Sequence, residues 1–560
     1  MDNTNKTDWV ALGTDAAVIV LLVVMVYLPV RSASFMWDDR PLIVQNPILV
    51  ARDGLYRIWF TTEPDTYYPL TNTFWWFELR LWGASPVHYH DVSVVLHAVN
   101  SVLIWLILRQ LKIPGAWLVG VVFAIHPVNV TTVAWISEQK NILSMFFSEV
   151  AVLLYLKFDE QSKWCWYWFA LAAFLLALLS KSAVVMLPVA LLGCIWWLRG
   201  RIGWNDFFYS VPFFAFSVFL GLVSIWFEHH RAMAGSIFRT SGFFERLATA
   251  GWVPWFYLSK AILPIKLTMV YPLWKVDALR WISWIPCVIL IAAFAVFWWR
   301  RNSWGRPLLF GLGYFVVMLL PVLGFFDQGF YGYSLVSDHW QYYSIVSIIA
   351  LIVAGAEFIC RRVADQGWSV AVVASVIVAS ALGAATLRRN WIFAENLTLW
   401  QDNMQKNPHS WVVHSNLGLA LQNAGDVPAA IAEYKQTLEI NPNSGVTCNN
   451  LGLCLWHEGN LQEAIGCFER ALQIQPVNVA AQSNLGLVLL QMNKLQEAIG
   501  HFEEAARIRP DVPQLQLDLG NALVKANRLK EARWHFEQAL KLDPNFAEAQ
   551  RALARLSVYQ

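Results

Sequence analysis

The sequence predicts an all-α protein in two parts: a polytopic bundle of membrane-crossing helices, then a solenoid of helix pairs. Three observations lead there. Of the 560 residues, 57% are hydrophobic and 14% charged, where an average soluble protein carries roughly 25% charged residues. Apolar runs long enough to cross about 30 Å of hydrocarbon recur from Ala16 to Leu387. From residue 408 a 34-residue period takes over. The 31 Trp, 34 Phe and 17 Tyr suit the interfacial belts of many spans, and a net charge of +2 gives no reason to expect a nucleic-acid partner.

The first run, near 10–30, follows "MDNTNKTDWV". That stretch lacks a multiply charged n-region and no small-residue cleavage site follows, so the run is expected to stay as an anchor. Further spans are expected near 91–109, 116–130, 141–157, 164–180, 182–198, 207–226, 281–299, 307–326, 341–360 and 368–387, about eleven crossings in all. The run 247–265 contains Lys260 and Pro264 and is read as re-entrant or surface-lying. The basic turns "WWRRNSWGR" (298–306) and "CRRVADQ" (360–366) then fall on the inner side with Arg109, Lys157 and Arg199, as the enrichment of cytoplasmic loops in Lys and Arg requires. Lys181, Arg231 and Arg388/Arg389 run against that rule. The odd count puts the C-terminal part outside, on the side of an outer loop, 31–90, with juxtamembrane helices. The expected domains are 1–387, an amphipathic linker 388–407 whose Trp391, Phe393, Leu397 and Trp400 can lie on the membrane surface, and the repeats of 408–560.

"SNLG" at 415–418 returns as "NNLG" at 449–452, "SNLG" at 483–486 and "LDLG" at 517–520. Pro408, Pro442, Pro476, Pro510 and Pro544 keep the same step, as do Tyr434, Phe468, Phe502 and Phe536. Period and pattern resemble the tetratricopeptide repeat, a helix-turn-helix unit that stacks into a superhelix. Four units and a capping helix fill the segment. The glycines let the two helices approach, and the prolines, lacking an amide donor, end the second helix.

Ionisable residues at or near membrane depth are functional candidates, because each is costly unless paired or hydrated. On the expected topology the outer side collects Asp38, Asp39, Arg40 and the 53–90 loop with His90; His126 with Asn129, Glu138 and Lys140; Lys181; Glu228, His229, His230 and Arg231; and Asp327, Asp338 and His339. The adjacent pair Asp38–Asp39 suits general-base work on an attacking hydroxyl, although Asp is also common in turns and caps. Lys181, with His339 or Arg231, could stabilise a departing phosphate. His97 and Asn100 share a helix face and are expected to bond to a neighbouring span. "HYHD" (88–91) and His229/His230 lack metal-ligand spacing, so no metal is expected, and a divalent ion on a substrate phosphate has no spacing to support it. The seven cysteines form no CxxC pair and read as small buried residues. No Walker loop, GxSxG elbow or GxGxxG fingerprint is present, so soluble-nucleotide chemistry has no support.

Five features in this order, "WDDRPLIVQNP" (37–47), "YYPLTNTFWWFELRLWGASPVHYHDVSVVLHAVNSVL" (67–103), "FAIHPVNVTTVAWISEQKNIL" (123–143), "LSKSAVVMLP" (179–188) and the repeat tail, resemble the transmembrane and tetratricopeptide-repeat-containing proteins and their bacterial relatives. The resemblance implies an inverting membrane glycosyltransferase of the GT-C class. Such an enzyme takes sugar from a polyprenyl-phosphate carrier and places it on a protein hydroxyl at the extracytoplasmic face of a bacterial inner membrane or the endoplasmic reticulum. It also implies that Asp38 or Asp39 is the base, with Asp38 preferred, that Lys181 faces the carrier phosphate, and that Asp338 is the acidic residue of a late motif, here "SDHWQYY" (337–343). His339 and Arg231 remain the other phosphate candidates, with His126, Glu138, Asp338 and His90 as further site candidates. The chain departs from the family where it has Asn129, Thr131, Gln139 and His339. Two rival readings are a non-catalytic membrane-anchored repeat scaffold and a transporter, the latter without visible matching halves. The sugar and the acceptor are not legible.

Overall fold

The computed structural model describes residues 3–233, 241–363 and 367–558. Among these the regular elements are helical, with no strand. The chain divides into two compact units, Met1–Asp402 and Asn403–Gln560.

In the first unit eight described helices are long and apolar enough to cross a membrane. A ninth arises if the bent pair Ala116–Ala124 and Pro127–Ala134 is one span, and Trp164–Ser180 and Ile345–Cys360 are shorter apolar helices. These elements make the chain an integral membrane protein. The run 247–265 forms the helix Phe243–Ile262, which is not among the membrane-length set. Its Tyr257 is buried and accepts the Ser337 amide at 3.0 Å. The basic turn 360–366 lies partly outside the described residues.

The expected continuous span 116–130 is instead bent by 45°. Pro127 cannot donate to the helix, so carbonyls near the bend must find other partners. Phe123 O accepts from Asn129 Nδ2 at 2.8 Å, Ala124 O pairs with His97 Nε2 at 3.1 Å, and Ile125 O accepts from Thr386 Oγ1 at 2.6 Å. His97 also meets Tyr342 Oη at 2.8 Å through Nδ1, and Asn100 donates to Ile142 O at 3.0 Å. Both side chains thus bond to neighbouring segments, as their shared face suggested.

Between the first and second spans, Pro47–Val50, Gly54–Phe60 and Pro69–Trp82 are short helices. They gather Phe35, Ile43, Ile58, Trp75 and Tyr89 into a small core that includes Ile136. The last long helix, Gly367–Phe393, runs through the expected boundary at 388. Phe393 and Trp400 are buried within the first unit, whereas Trp391 is exposed. An amphipathic period is satisfied as well by protein as by a membrane surface, and here packing takes two of the four apolar residues singled out. Of the cysteines, Cys194, Cys448 and Cys454 are buried, but Cys165 is exposed.

The second unit holds four helix pairs, from Trp411–Asn423 with Val427–Ile440 to Pro513–Lys525 with Leu529–Leu542, followed by Ala547–Val558. Each repeated glycine sits under the repeated aromatic of the second helix. A Cβ at Gly452 would lie 2.7 Å from the Phe468 ring, closer than real contacts allow.

Candidate functional site

Asp38 and Asp39 follow Trp37, whose φ of +43° is left-handed. A bulky side chain is held there at a cost of about 1–3 kcal/mol. The surroundings that hold it are aromatic: Trp37 stacks on Trp135 with centroids 5.4 Å apart and planes 3° apart, and lies 5.6 Å from Trp400. The turn sends the two carboxylates different ways. Asp39 is fully buried; its Oδ2 accepts the Met36 amide at 3.0 Å and its Oδ1 the Ser137 amide at 2.7 Å. It thereby ties the loop to the turn ahead of the helix Gln139–Gln161. Asp38 is half-buried, and its Oδ1 accepts from Trp135 Nε1 at 2.9 Å and Ser137 Oγ at 3.0 Å.

Asp38 lines a cavity of about 510 Å³, and Glu138, Lys140, Lys181 and His339 line it too. Its wall is aromatic at Trp37, Trp135, Phe330 and Tyr333 and polar at Asn46, Asn72 and Gln328. Glu138 is the charged centre. Lys140 Nζ lies 3.0 Å from Oε1, Lys181 Nζ 3.3 Å from Oε2 and His339 Nε2 3.8 Å from Oε1, while Asn141 Nδ2 donates to Oε2. His339 Nδ1 pairs with Ser337 Oγ at 2.8 Å.

Burial pushes the Asp38 carboxyl above the ordinary carboxylate range, partly offset by the Lys140 charge. Burial and the Asp38 charge push Asp39 well above it, against two backbone amides. Burial lowers His339 to about 3, despite the Glu138 carboxylate beside it. Its imidazole is therefore neutral near pH 7, a hydrogen-bonding group and not a cation.

The remaining candidates lie elsewhere. Asp338 is fully buried; it accepts from Tyr271 Oη at 2.7 Å and from Arg389 Nη2 at 2.9 Å, and Arg389 also donates to Thr131 Oγ1 at 3.0 Å. His126 is buried at the helix bend, with Nδ1 accepting the Val128 amide at 3.3 Å and Nε2 facing Ala261 O at 3.2 Å. His90 is buried outside the cavity lining. Arg231 is exposed and donates to the Glu63 carbonyl at 2.9 Å, at the rim, not on the wall. Sequence reasoning grouped Lys140 with Glu138 but did not single it out; its adjacency to a candidate carboxylate in "SEQKN" was the signal. Trp135 and Ser137, which hold Asp38, carried none. Among the described residues no group of three or more His, Cys, Asp or Glu is placed to hold a metal ion.

Residues 64–226 match the dolichyl-phosphate-mannose-protein mannosyltransferase family. Tetratricopeptide-repeat families match 411–476, 444–511 and 489–556. A protein O-mannosyl-transferase of Caenorhabditis elegans is 23% identical over 73% of this chain and 60% of its own length. The chain is thus similar to protein O-mannosyl-transferases that pair a mannosyltransferase-type membrane domain with tetratricopeptide repeats. Other such relatives are the protein O-mannosyl-transferase Tmtc1 of Drosophila melanogaster, 28% identical over 31% of this chain and 21% of its own, and tmtc2 of Xenopus laevis, 26% identical over 25% and 19%. The solved repeat protein YrrB aligns with 29% of this chain and 82% of its own at 21% identity, with a TM-score of 0.26. The chain spans about 60% of the length of its C. elegans relative. The mannosyltransferase-type match encloses Glu138, Lys140 and Lys181, whereas Asp38 and His339 lie outside it.

Proposed function

We propose that the chain is an inverting, GT-C-type membrane glycosyltransferase that moves a sugar from a polyprenyl-phosphate carrier to a hydroxyl of an acceptor protein. In this reading the cavity and the repeats are extracytoplasmic, and the repeats recruit the acceptor. The observation that carries it is the shared cavity, whose lining includes the half-buried Asp38 carboxylate together with the Lys140 and Lys181 ammonium groups. The names of the relatives make mannose the sugar to try first.

Asp38 accepts the proton of the acceptor hydroxyl. The hydroxyl oxygen forms a bond to the anomeric carbon while the bond from that carbon to the carrier-phosphate oxygen breaks. Its electron pair leaves with the phosphate, whose added negative charge is met by Lys181 and Lys140. A single displacement inverts the anomeric centre. Neutral His339 can donate a hydrogen bond on the same side. Asp39, with both oxygens taken by backbone amides, holds the turn.

The test is sugar transfer by the purified full-length protein from a polyprenyl-phosphate sugar. Asp38→Asn is expected to lower kcat by about 10²–10⁴-fold with yield and donor binding kept, whereas Asp39→Asn is expected to lower yield by setting an amide donor against two N–H groups. Full transfer by Asp38→Asn would overturn Asp38 as the base, and no transfer by the unaltered protein would return the chain to a membrane-anchored scaffold.

A further inference from the structure

We infer that Trp400 is a positioning residue for Asp38 and acts through Trp37. The inference rests on the proposed reading of Asp38 as the base and adds the group that keeps it in place.

A tryptophan with a φ of +43° persists only where its surroundings over-determine it. Among the described residues four rings meet that of Trp37: Trp135 stacked at 5.4 Å, Phe330 at 5.9 Å, Tyr333 at 5.7 Å, and Trp400 edge-on at 5.6 Å with planes 75° apart. Trp135, Phe330 and Tyr333 line the cavity with Trp37, and Trp400 does not. Trp400 thus stands behind the ring, off the wall that a substrate would touch. It is 2% exposed, and edge-to-face packing is a favoured geometry between aromatic rings.

The segment that carries Trp400 also grips the backbone just ahead of the turn. Asn396 Nδ2 donates to Phe35 O at 3.1 Å and to Ser34 Oγ at 3.0 Å. On the far side of the turn, Trp135 stacks on Trp37 and donates from its Nε1 to Asp38 Oδ1 at 2.9 Å. One indole therefore links the place of the Trp37 ring to the place of the carboxylate. Without Trp400, Trp37 can relax to negative φ, which rotates the next peptide and draws Asp38 away from Trp135 and Ser137. A reacting group displaced by about an ångström loses much of its rate. Lys140 and Lys181 belong to other segments, the first to the helix Gln139–Gln161 and the second to the end of Trp164–Ser180. Donor binding is therefore untouched.

Two readouts on the detergent-purified full-length protein test this. One is transfer kinetics; the other is labelling of Asp38 by a water-soluble carbodiimide with glycine ethyl ester, read by mass spectrometry with Asp39 as reference. Trp400→Ala is expected to lower kcat about 10–100-fold at unchanged donor KM. It should also speed Asp38 labelling about ten-fold, the size of one lost hydrogen bond to a charged group. Trp400→Phe, which keeps the ring edge, should restore both. In a Trp37→Gly background the turn needs no support, because glycine takes positive φ freely, so Trp400→Ala should change neither readout further. An equal loss in both backgrounds overturns the route through Trp37. Unchanged Asp38 labelling in Trp400→Ala overturns the positioning role and leaves the Asp38 chemistry standing. Should Trp400→Ala fail to fold, Trp400→Leu against Trp400→Phe decides: slow labelling kept by Phe and lost by Leu supports the inference, and equal labelling overturns it. The expected labelling pattern in a protein that transfers no sugar supports the positioning and removes the transferase reading.

Discussion

Asp38 and Asp39 are chain neighbours with opposite surroundings, and the difference comes from residues almost a hundred positions away. Trp135 and Ser137 hold Asp38 through side chains, and the Ser137 amide holds Asp39. The sequence made the pair a candidate, but choosing within it needed contacts that only the folded chain brings together. The same surroundings set a pH dependence. A base must be ionised to accept a proton, and burial raises the Asp38 carboxyl. The acid limb of kcat/KM is therefore expected above the ordinary Asp value of about 3.9, with activity lost as pH falls through it. Ser137→Ala removes a donor that favours the ionised form, so the midpoint should move further up. A pH–rate profile of the variant checks this; an unmoved midpoint would mean that Ser137 does not act through Asp38.

At the scale of elements, the segment 116–134 shows what composition conceals. Its apolar run is nearly continuous, so it read as one span, and Pro127 was the only local sign of the 45° bend. The bend is stable because side chains from three segments satisfy its carbonyls. Thr386→Val removes the hydroxyl that meets Ile125 O at 2.6 Å. It is expected to cost about 1–2 kcal/mol, read as a lower Tm of the detergent-purified protein against Thr386→Ser, which keeps the bond. The repeats were legible to the residue, because each unit repeats the same contact of glycine with aromatic ring at a fixed step. A periodic contact writes itself into sequence, and a single bend does not.

For the whole molecule, charge was the least reliable guide. Arg389 and Lys181 counted against the expected topology because a loop cation and an interior cation look alike in sequence. Arg389 is instead buried on Asp338, and Lys181 sits on Glu138. Both are paired interior charges and not loop cations, which leaves the extracytoplasmic assignment of the repeats resting on the other basic turns. A reporter fused after residue 400 is expected to read as extracytoplasmic in cells. A cytoplasmic reading would separate the repeats from the proposed site. The bend at Pro127 also imposes an order on synthesis. Thr386 and Arg389, which bond to Ile125 and Thr131, lie 261 and 258 residues downstream, tens of seconds of translation at roughly 5–20 residues per second. Throughout that interval the nascent segment lacks its final partners. Its settling into place is thus a late event of biogenesis, timed by the arrival of the last long helix.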